Sequence, residues 1–206
     1  MITCIRAPEI RNTHCMAWNL PNILTWLRII AVPLVVVLFY LPHIWADAFA
    51  AILFAAASIT DSLDGYLARR MGLTSKLGAF LDPLADKLIV AVALILIVSK
   101  RPVDDYPHWI VVLSACVIIG REIAISALRE WMAELGERTR VAVSGLGKIK
   151  TIVQMIGLSF MLYRYPILGL DIYGIGLWLT VAAAALTLWS GLMYLKAAWP
   201  VLSAPE

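Results

Sequence analysis

Long apolar stretches separated by short polar links dominate the chain. Six of them approach or exceed the roughly 20 residues that a helix needs to cross a bilayer. They cover residues 20–42, 47–69, 79–99, 107–132, 147–164 and 172–198. Backbone polar groups in lipid must be satisfied within the segment, and no stretch alternates apolar and polar residues as a barrel strand does. The pattern therefore predicts an all-α polytopic membrane protein with six transmembrane helices.

Composition narrows the class further. Of the 206 residues, 62% are hydrophobic and 15% are charged, whereas soluble domains average about 45–50% and about 25%. With a net charge of only +3, the chain is neither disordered nor a basic nucleic-acid-binding domain, and no nucleic-acid partner is expected. We expect one membrane domain over residues 16–206, in contact with membrane lipids. Residues 1–15 are interpreted as a surface arm, or as an upstream start that function does not need.

The distribution of Lys and Arg predicts the orientation of the helices. Three of these residues fall on one side of the predicted membrane, namely Lys100, Arg101 and Arg164. Eleven fall on the other side: Arg6, Arg11, Arg69, Arg70, Lys76, Arg129, Arg138, Arg140, Lys148, Lys150 and Lys196. Because cytoplasmic loops are enriched in Lys and Arg, both termini are expected in the cytoplasm.

Four aspartates lie in or against apolar segments, where ionisable side chains are costly and indicate a functional site. Asp61 and Asp64 are near the end of the second predicted helix, and Asp82 and Asp86 are near the start of the third. At about 100° per residue, each pair shares one face of its helix. The short link makes the two helices antiparallel neighbours. All four carboxylates are therefore expected to converge at the cytoplasmic face.

Carboxylates this close repel one another unless cations neutralise them. The ligands are all hard oxygens, with no Cys or His alongside, and such a set favours Mg²⁺ or Mn²⁺ over zinc or copper. A pair of ions about 3.5–4 Å apart suits displacement at phosphorus. Gly65, Ala68 and Gly78 remove bulk beside the acids, either to admit a flat substrate group or merely to allow close helix packing. Arg69 is one turn further on and is suited to binding a phosphate.

The residues from Asp61 to Asp86 follow the complete pattern D-x2-D-G-x2-A-R-x8-G-x3-D-x3-D. By this pattern the chain resembles the CDP-alcohol phosphatidyltransferase family. The resemblance implies the six-helix membrane fold of that family, usually homodimeric, with two divalent cations and the lipid donor CDP-diacylglycerol. It also implies the inner membrane of a bacterium, with the active site facing the cytoplasm.

The resemblance further implies roles for the matching positions. Asp61, Asp64 and Asp82 would bind one cation, and Asp61, Asp82 and Asp86 would bind the other. Asp86 would also be the general base that deprotonates the acceptor hydroxyl. The CDP group would lie against Gly65, Ala68, Arg69 and Gly78.

Other segments indicate which alcohol is the acceptor. Residues 19–28, 121–134 and 147–151 are similar to members of this family that use sn-glycerol 3-phosphate. The expected products are then phosphatidylglycerophosphate and CMP. The nearest alternative is another acceptor, such as serine, inositol phosphate or phosphatidylglycerol. A divalent-cation transporter is a more distant alternative, because intramembrane aspartates also mark ion pathways, but no internal repeat or broken helix supports it.

Three cations at cytoplasmic helix ends are candidates for binding the dianionic phosphate of that acceptor: Arg28, Arg121 and Lys148. Lys148 also lies at a helix N-terminus, which favours anions. Arg121 is equally suited to pairing with Glu122 or with aspartates inside the bundle. Lys148 has the alternative of fixing topology or contacting anionic headgroups.

Overall fold

A computed structural model of the protein describes residues 20–71, 76–100, 106–135 and 146–202. The predicted arm at residues 1–15 lies outside the described part. Within the described ranges, only the backbone is described for residues 20–22, 44, 61–71, 76–80, 82, 146–148 and 200–202. The regular structure of the described ranges is helical, apart from one isolated bridge between Ile167 and Leu170. The helices are α1 (Leu20–Tyr40), α2 (Ile44–Met71), α3 (Lys76–Ser99), α4 (His108–Glu134), α5 (Leu146–Tyr163) and α6 (Ile172–Leu202).

These six helices confirm the all-helical prediction, and each boundary lies within four residues of the predicted one. Local chemistry explains two of the starts. Pro107, with φ −63°, precedes α4, where its missing N–H costs no helical hydrogen bond. Asp171 precedes α6, and its Oδ1 accepts a 2.9 Å hydrogen bond from the Gly174 backbone N–H. That contact satisfies one of the unpaired donors of the first turn.

The helices identify a membrane protein. Among the described residues, three stretches are long and apolar enough to cross a membrane: Ile23–Tyr40, His108–Glu134 and Ile172–Trp199. α2 and α5 contain shorter apolar stretches, Trp45–Thr60 and Ile149–Tyr163. The apolar stretch of α2 ends immediately before Asp61, at the start of the predicted site. A membrane crossing by all six helices stays a prediction.

One cluster of buried apolar side chains joins all six helices. Its centre includes fully buried Phe54 of α2, Leu94 of α3, Leu158 of α5 and Leu177 of α6. Large apolar residues on the outside, such as Trp178, remain exposed, as expected for faces that contact lipid. The cluster holds the helix ends in position around the site described below.

α5 and α6 approach each other closely at two glycines. A Cβ atom at Gly157 would lie 2.7 Å from Thr180 Oγ1 and 3.0 Å from the Gly176 carbonyl oxygen. A Cβ atom at Gly176 would lie 2.7 Å from the Gly157 carbonyl oxygen. Because backbone atoms cannot move aside as a flexible side chain can, the crossing of α5 over α6 requires glycine at both positions.

We expect Gly157→Ala to lower the free energy of unfolding by about 1–3 kcal/mol, the usual cost of overpacking a close contact. Thermal unfolding of the detergent-solubilised protein measures the change. Gly120→Ala is the matched control, because a Cβ atom at Gly120 meets nothing within 4 Å and Ala has the higher helix propensity. Equal unfolding midpoints for the two variants would contradict the role given to Gly157.

Polar contacts join the helices at the end of the bundle where α1, α3 and α5 finish. Lys100 Nζ lies 3.1 Å from Asp47 Oδ1, which ties the end of α3 to the start of α2. The Tyr106 hydroxyl donates a 2.5 Å hydrogen bond to Asp171 Oδ2. This bond, together with the one from the Gly174 N–H, holds the pKa of Asp171 below its ordinary value. The predicted site lies at the opposite end of the bundle.

Candidate active site

A polar cavity of about 180 Å³ lies at the end of the bundle where α4 and α6 finish and α3 and α5 begin. On each lining helix, the residues recur at helical spacing, so that one face of the helix turns inward. The lining consists of Asp86, Lys87 and Val90 of α3; Arg121, Glu122, Ile125, Ser126 and Arg129 of α4; Lys150, Thr151, Gln154 and Met155 of α5; and Ser190 and Tyr194 of α6. We call this the polar cavity.

The charged side chains of the polar cavity carry a positive excess. Its cations are Lys87, Arg121, Arg129 and Lys150, and its carboxylates are Asp86 and Glu122. The formal excess of two positive charges matches the charge of a phosphate dianion. Low-dielectric walls concentrate the field of such a charge cluster and attract the opposite charge.

Lys150 is the most buried cation of the polar cavity, at 6% exposure. Among the described residues, its Nζ has no hydrogen-bond partner. A desolvated ammonium without a partner is costly, and an anion in the cavity would relieve that cost. The sequence pattern predicts Lys150 only as one of the cations that determine the topology. Its place inside the apolar stretch Ile149–Tyr163 is the signal that indicates more.

Arg121 forms the pair with Glu122 that the sequence offered as one interpretation, while its binding of a phosphate stays a prediction. Its Nη1 lies 3.1 Å from Glu122 Oε2, and its Nη2 donates a 3.0 Å hydrogen bond to Ser190 Oγ. Its side chain is nevertheless part of the cavity wall. The pairing with Glu122 therefore does not withdraw Arg121 from the site.

Asp86 is partly buried and lines the polar cavity. Asp61 and Asp64 lie in the last part of α2, and Asp82 lies one turn before Asp86 in α3. α2 and α3 pack against each other, so neighbouring helices carry the four aspartates. The side chains of Asp61, Asp64 and Asp82 lie outside the described part, and their convergence stays a prediction.

The carboxylates fit the predicted cations in chemistry. Among the described side chains, no group of three or more His, Cys, Asp or Glu residues is arranged to hold a metal ion. The side chains of three of the four aspartates, Asp61, Asp64 and Asp82, are not among the described ones. The donors predicted from the sequence are all oxygens, which is the preference of Mg²⁺ and Mn²⁺. Asp86 is both one of these four predicted ligands and a lining residue of the polar cavity.

The remaining predicted site residues are distributed over four helices. Arg28 lies in α1 at 2% exposure and does not line the polar cavity. Lys148 lies in the first turn of α5, with its side chain outside the described part. The same holds for the residues predicted to contact CDP, namely Gly65, Ala68 and Arg69 of α2 and Gly78 of α3.

Arg129 and Tyr194 are among the cavity residues that were not predicted as site residues. Arg129 lies about two turns after Arg121 on α4, and its Nη2 donates a 3.2 Å hydrogen bond to the Tyr194 hydroxyl. The helical spacing from Arg121 is the sequence signal for Arg129. Tyr194 has no comparable signal, because a tyrosine near the end of an apolar helix is common at membrane interfaces.

A second opening adjoins the polar cavity. This α2–α5 groove has a volume of about 420 Å³ and a mostly apolar wall. It is lined by Ala55, Ser58, Ile59, Thr151, Ile152, Met155, Ile156, Ser159 and Phe160. Thr151 and Met155 line both spaces, and Ile59 precedes Asp61 by two residues. An apolar space thus leads to the polar site.

Comparison with known proteins identifies the family of the chain. The model of the CDP-alcohol phosphatidyltransferase family matches residues 18–189, and the chain belongs to this family of membrane enzymes. It is 50% identical over 183 residues to a protein of Salmonella choleraesuis (strain SC-B67) and 49% identical over 183 residues to one of Escherichia coli (strain K12). Both alignments cover 89% of this chain and 96% of the relative. Both relatives are named CDP-diacylglycerol–glycerol-3-phosphate 3-phosphatidyltransferase. Enzymes of the family generally depend on divalent cations.

Proposed function

We propose that the protein transfers the phosphatidyl group of CDP-diacylglycerol to sn-glycerol 3-phosphate, giving phosphatidylglycerophosphate and CMP. The observation that carries the proposal is the polar cavity, where Asp86 lies among an excess of cationic side chains. The names of the two bacterial relatives, at about half identity, support the same donor and acceptor.

The acceptor phosphate is proposed to bind against Arg121, Arg129 and Lys150. Binding of a dianion supplies the partner that the buried Lys150 ammonium lacks among the described residues, and charge-assisted hydrogen bonds of this kind are strong. Serine or free inositol brings no such charge. Lys148 stays a predicted contributor to the same site, and so does Arg28, although Arg28 does not line the polar cavity.

Two divalent cations, Mg²⁺ or Mn²⁺, are proposed to bind the carboxylates of Asp61, Asp64, Asp82 and Asp86. Bound there, they would neutralise charge on the reacting phosphate oxygens and on the leaving group. The CDP group is proposed to lie against Gly65, Ala68, Arg69 and Gly78. Small residues at three of these positions allow the group to approach the helix backbone, and the Arg69 guanidinium suits a phosphate oxygen pair.

Asp86 is proposed to act as the general base. Its carboxylate takes the proton of the primary hydroxyl of sn-glycerol 3-phosphate, and that oxygen forms a bond to the lipid-bearing phosphorus. The bond from this phosphorus to the bridging oxygen breaks, and CMP leaves with the bridging oxygen. Arg121, Arg129 and Lys150 hold the acceptor phosphate so that the hydroxyl faces Asp86, which lowers the entropic part of the barrier.

The α2–α5 groove is the proposed place for an acyl chain of the lipid donor. Exposed Ile59, Ile152 and Ile156 line it, so a chain lying there contacts apolar side chains while the donor phosphates reach the aspartates after residue 60. Adding apolar contact area at about 25 cal/mol per Å² favours long chains over short ones.

Filling this groove should therefore penalise long-chain donors selectively. We expect Ser159→Phe to lower kcat/KM about tenfold for a dioleoyl donor, equivalent to about 1.4 kcal/mol, and less than about twofold for a dihexanoyl donor, whose short chains bury little area there. CMP release measures both. Ser99→Phe is the matched control, because Ser99 also bonds a carbonyl of its own helix but lies at the far end of α3. Equal losses for both donors would exclude the groove as an acyl site.

The remaining structural proposals follow from charge distribution and family. We infer that all six helices cross the inner membrane of a bacterium, with both termini and the polar cavity facing the cytoplasm. Residues 16–206 would form one domain, and the chain would be a homodimer. Cysteine labelling from each side of the membrane tests the orientation, and light scattering in detergent tests the dimer.

One experiment tests the reaction. Purified protein with Mg²⁺ or Mn²⁺ and CDP-diacylglycerol is offered sn-glycerol 3-phosphate, serine, inositol phosphate and phosphatidylglycerol in turn. We expect CMP release with sn-glycerol 3-phosphate alone. Release only with another acceptor would refute the acceptor and leave the family assignment intact. Divalent-cation flux into proteoliposomes, without CMP release, would favour the transporter alternative.

A further inference from the structure

Tyr194 contacts both arginines that face the polar cavity from α4. The tyrosine is 9% exposed and lies on α6. The centre of its ring is 5.9 Å from Arg121 Cζ and 5.3 Å from Arg129 Cζ. Its hydroxyl oxygen accepts the 3.2 Å hydrogen bond from Arg129 Nη2. One side chain of α6 thus touches two cations of α4.

The rest of this α6 face supports the same two arginines. Ser190 lies one turn before Tyr194, donates to the Thr187 carbonyl oxygen at 3.1 Å and accepts from Arg121 Nη2 at 3.0 Å. A Cβ atom at Gly191 would lie 3.3 Å from Arg121 Cγ, so the absence of a side chain there lets the arginine stem pack against α6. The α6 face therefore restricts the position of each guanidinium group.

Restricting these groups matters because a long arginine side chain loses considerable rotamer entropy when a ligand fixes it. A group already held in the binding geometry loses less when the ligand arrives, and affinity rises accordingly. Cation–π contacts are also stronger where water is excluded. The Tyr194 ring is itself buried, so it keeps water from its own side of both contacts and limits the movement of the two guanidinium groups.

We propose that Tyr194 is a positioning residue that holds the Arg121 and Arg129 guanidinium groups toward the polar cavity for an anionic phosphate. This proposal rests on the proposed function in one respect, namely that the phosphate is taken to be that of the acceptor. Tyr194 takes no part in proton transfer. Tyr194 affects the binding of the phosphate and does not affect the binding of the lipid donor.

Two substitutions separate the hydroxyl from the ring. We expect Tyr194→Phe to raise the KM for sn-glycerol 3-phosphate about fivefold, through loss of one hydrogen bond. Tyr194→Leu also removes both cation–π contacts, and we expect it to raise the KM about 30-fold. The KM for CDP-diacylglycerol should stay at its wild-type value in both variants, and the unfolding midpoint of Tyr194→Phe should also be unchanged. Calorimetric titration with inorganic phosphate, in the absence of donor, should show the same order of affinities.

Tyr173→Phe is the matched control, because it makes the same change at the opposite end of α6 and should leave both KM values unchanged. A wild-type acceptor KM in Tyr194→Leu would overturn the proposal. So would equal increases in both KM values with a lower unfolding midpoint, which mark a merely structural residue. If the wild-type protein uses only a phosphate-free acceptor, the proposed function fails. The calorimetric comparison with inorganic phosphate then decides on Tyr194 alone.

Discussion

Asp86→Asn should lower kcat by at least about a thousandfold, within the range found when a general base is removed. The substitution keeps the size of the side chain but removes the proton acceptor. Asp86 lies on the wall of the polar cavity, outside the buried apolar cluster, so the variant should fold normally. CMP release from CDP-diacylglycerol and sn-glycerol 3-phosphate, measured together with the unfolding midpoint, checks both statements.

A second measurement separates the two roles proposed for Asp86. If the loss came mainly from weaker cation binding, a higher Mg²⁺ or Mn²⁺ concentration would restore much of the rate by mass action. Loss of the base is not restored in this way. Glu134→Gln is the control, because Glu134 is an exposed carboxylate at the end of α4. Near wild-type turnover in Asp86→Asn would exclude Asp86 as the base.

Lys150→Met should raise the KM for sn-glycerol 3-phosphate by about 100-fold, toward the upper end for losing a buried charge-assisted hydrogen bond. The same change should raise the unfolding midpoint, because an apolar side chain of similar length replaces a desolvated ammonium. Affinity and stability are therefore expected to move in opposite directions. Steady-state kinetics with each substrate varied in turn and thermal unfolding in detergent provide the two readouts.

Lys196→Met is the matched control, since Lys196 is exposed on α6 and a surface charge contributes little. Its acceptor KM should equal that of the wild type. A lower midpoint for Lys150→Met, with unchanged acceptor KM, would mean that Lys150 stabilises the bundle and binds no phosphate.

The helices were predictable because their determinants are local. Apolar runs of membrane length, interrupted by Pro, Gly and charge, define each segment, and the start of α6 at Asp171 depends on one hydrogen bond to a residue three positions later. The aspartate spacing likewise depends only on helical geometry, so the places of Asp61 and Asp86 on neighbouring helices followed from the link length.

The wall of the polar cavity was predictable only in part. Arg121 was a candidate, whereas Lys150 was interpreted as a topology signal and Tyr194 was not considered. Which face of α4, α5 or α6 turns inward depends on close crossings such as Gly157 against Gly176. Those contacts join residues far apart in the sequence, and a single chain does not reveal them.

The sequence by itself therefore determined the membrane class, the six helices, the family pattern from Asp61 to Asp86 and the cationic end of the bundle. Only the tertiary structure decided that Asp86, Arg121 and Lys150 border one cavity, and that Tyr194 contacts its arginines. The physical reason is that helical periodicity fixes the relative angles of residues along one helix. The rotation of each helix about its own axis is fixed by packing against the others.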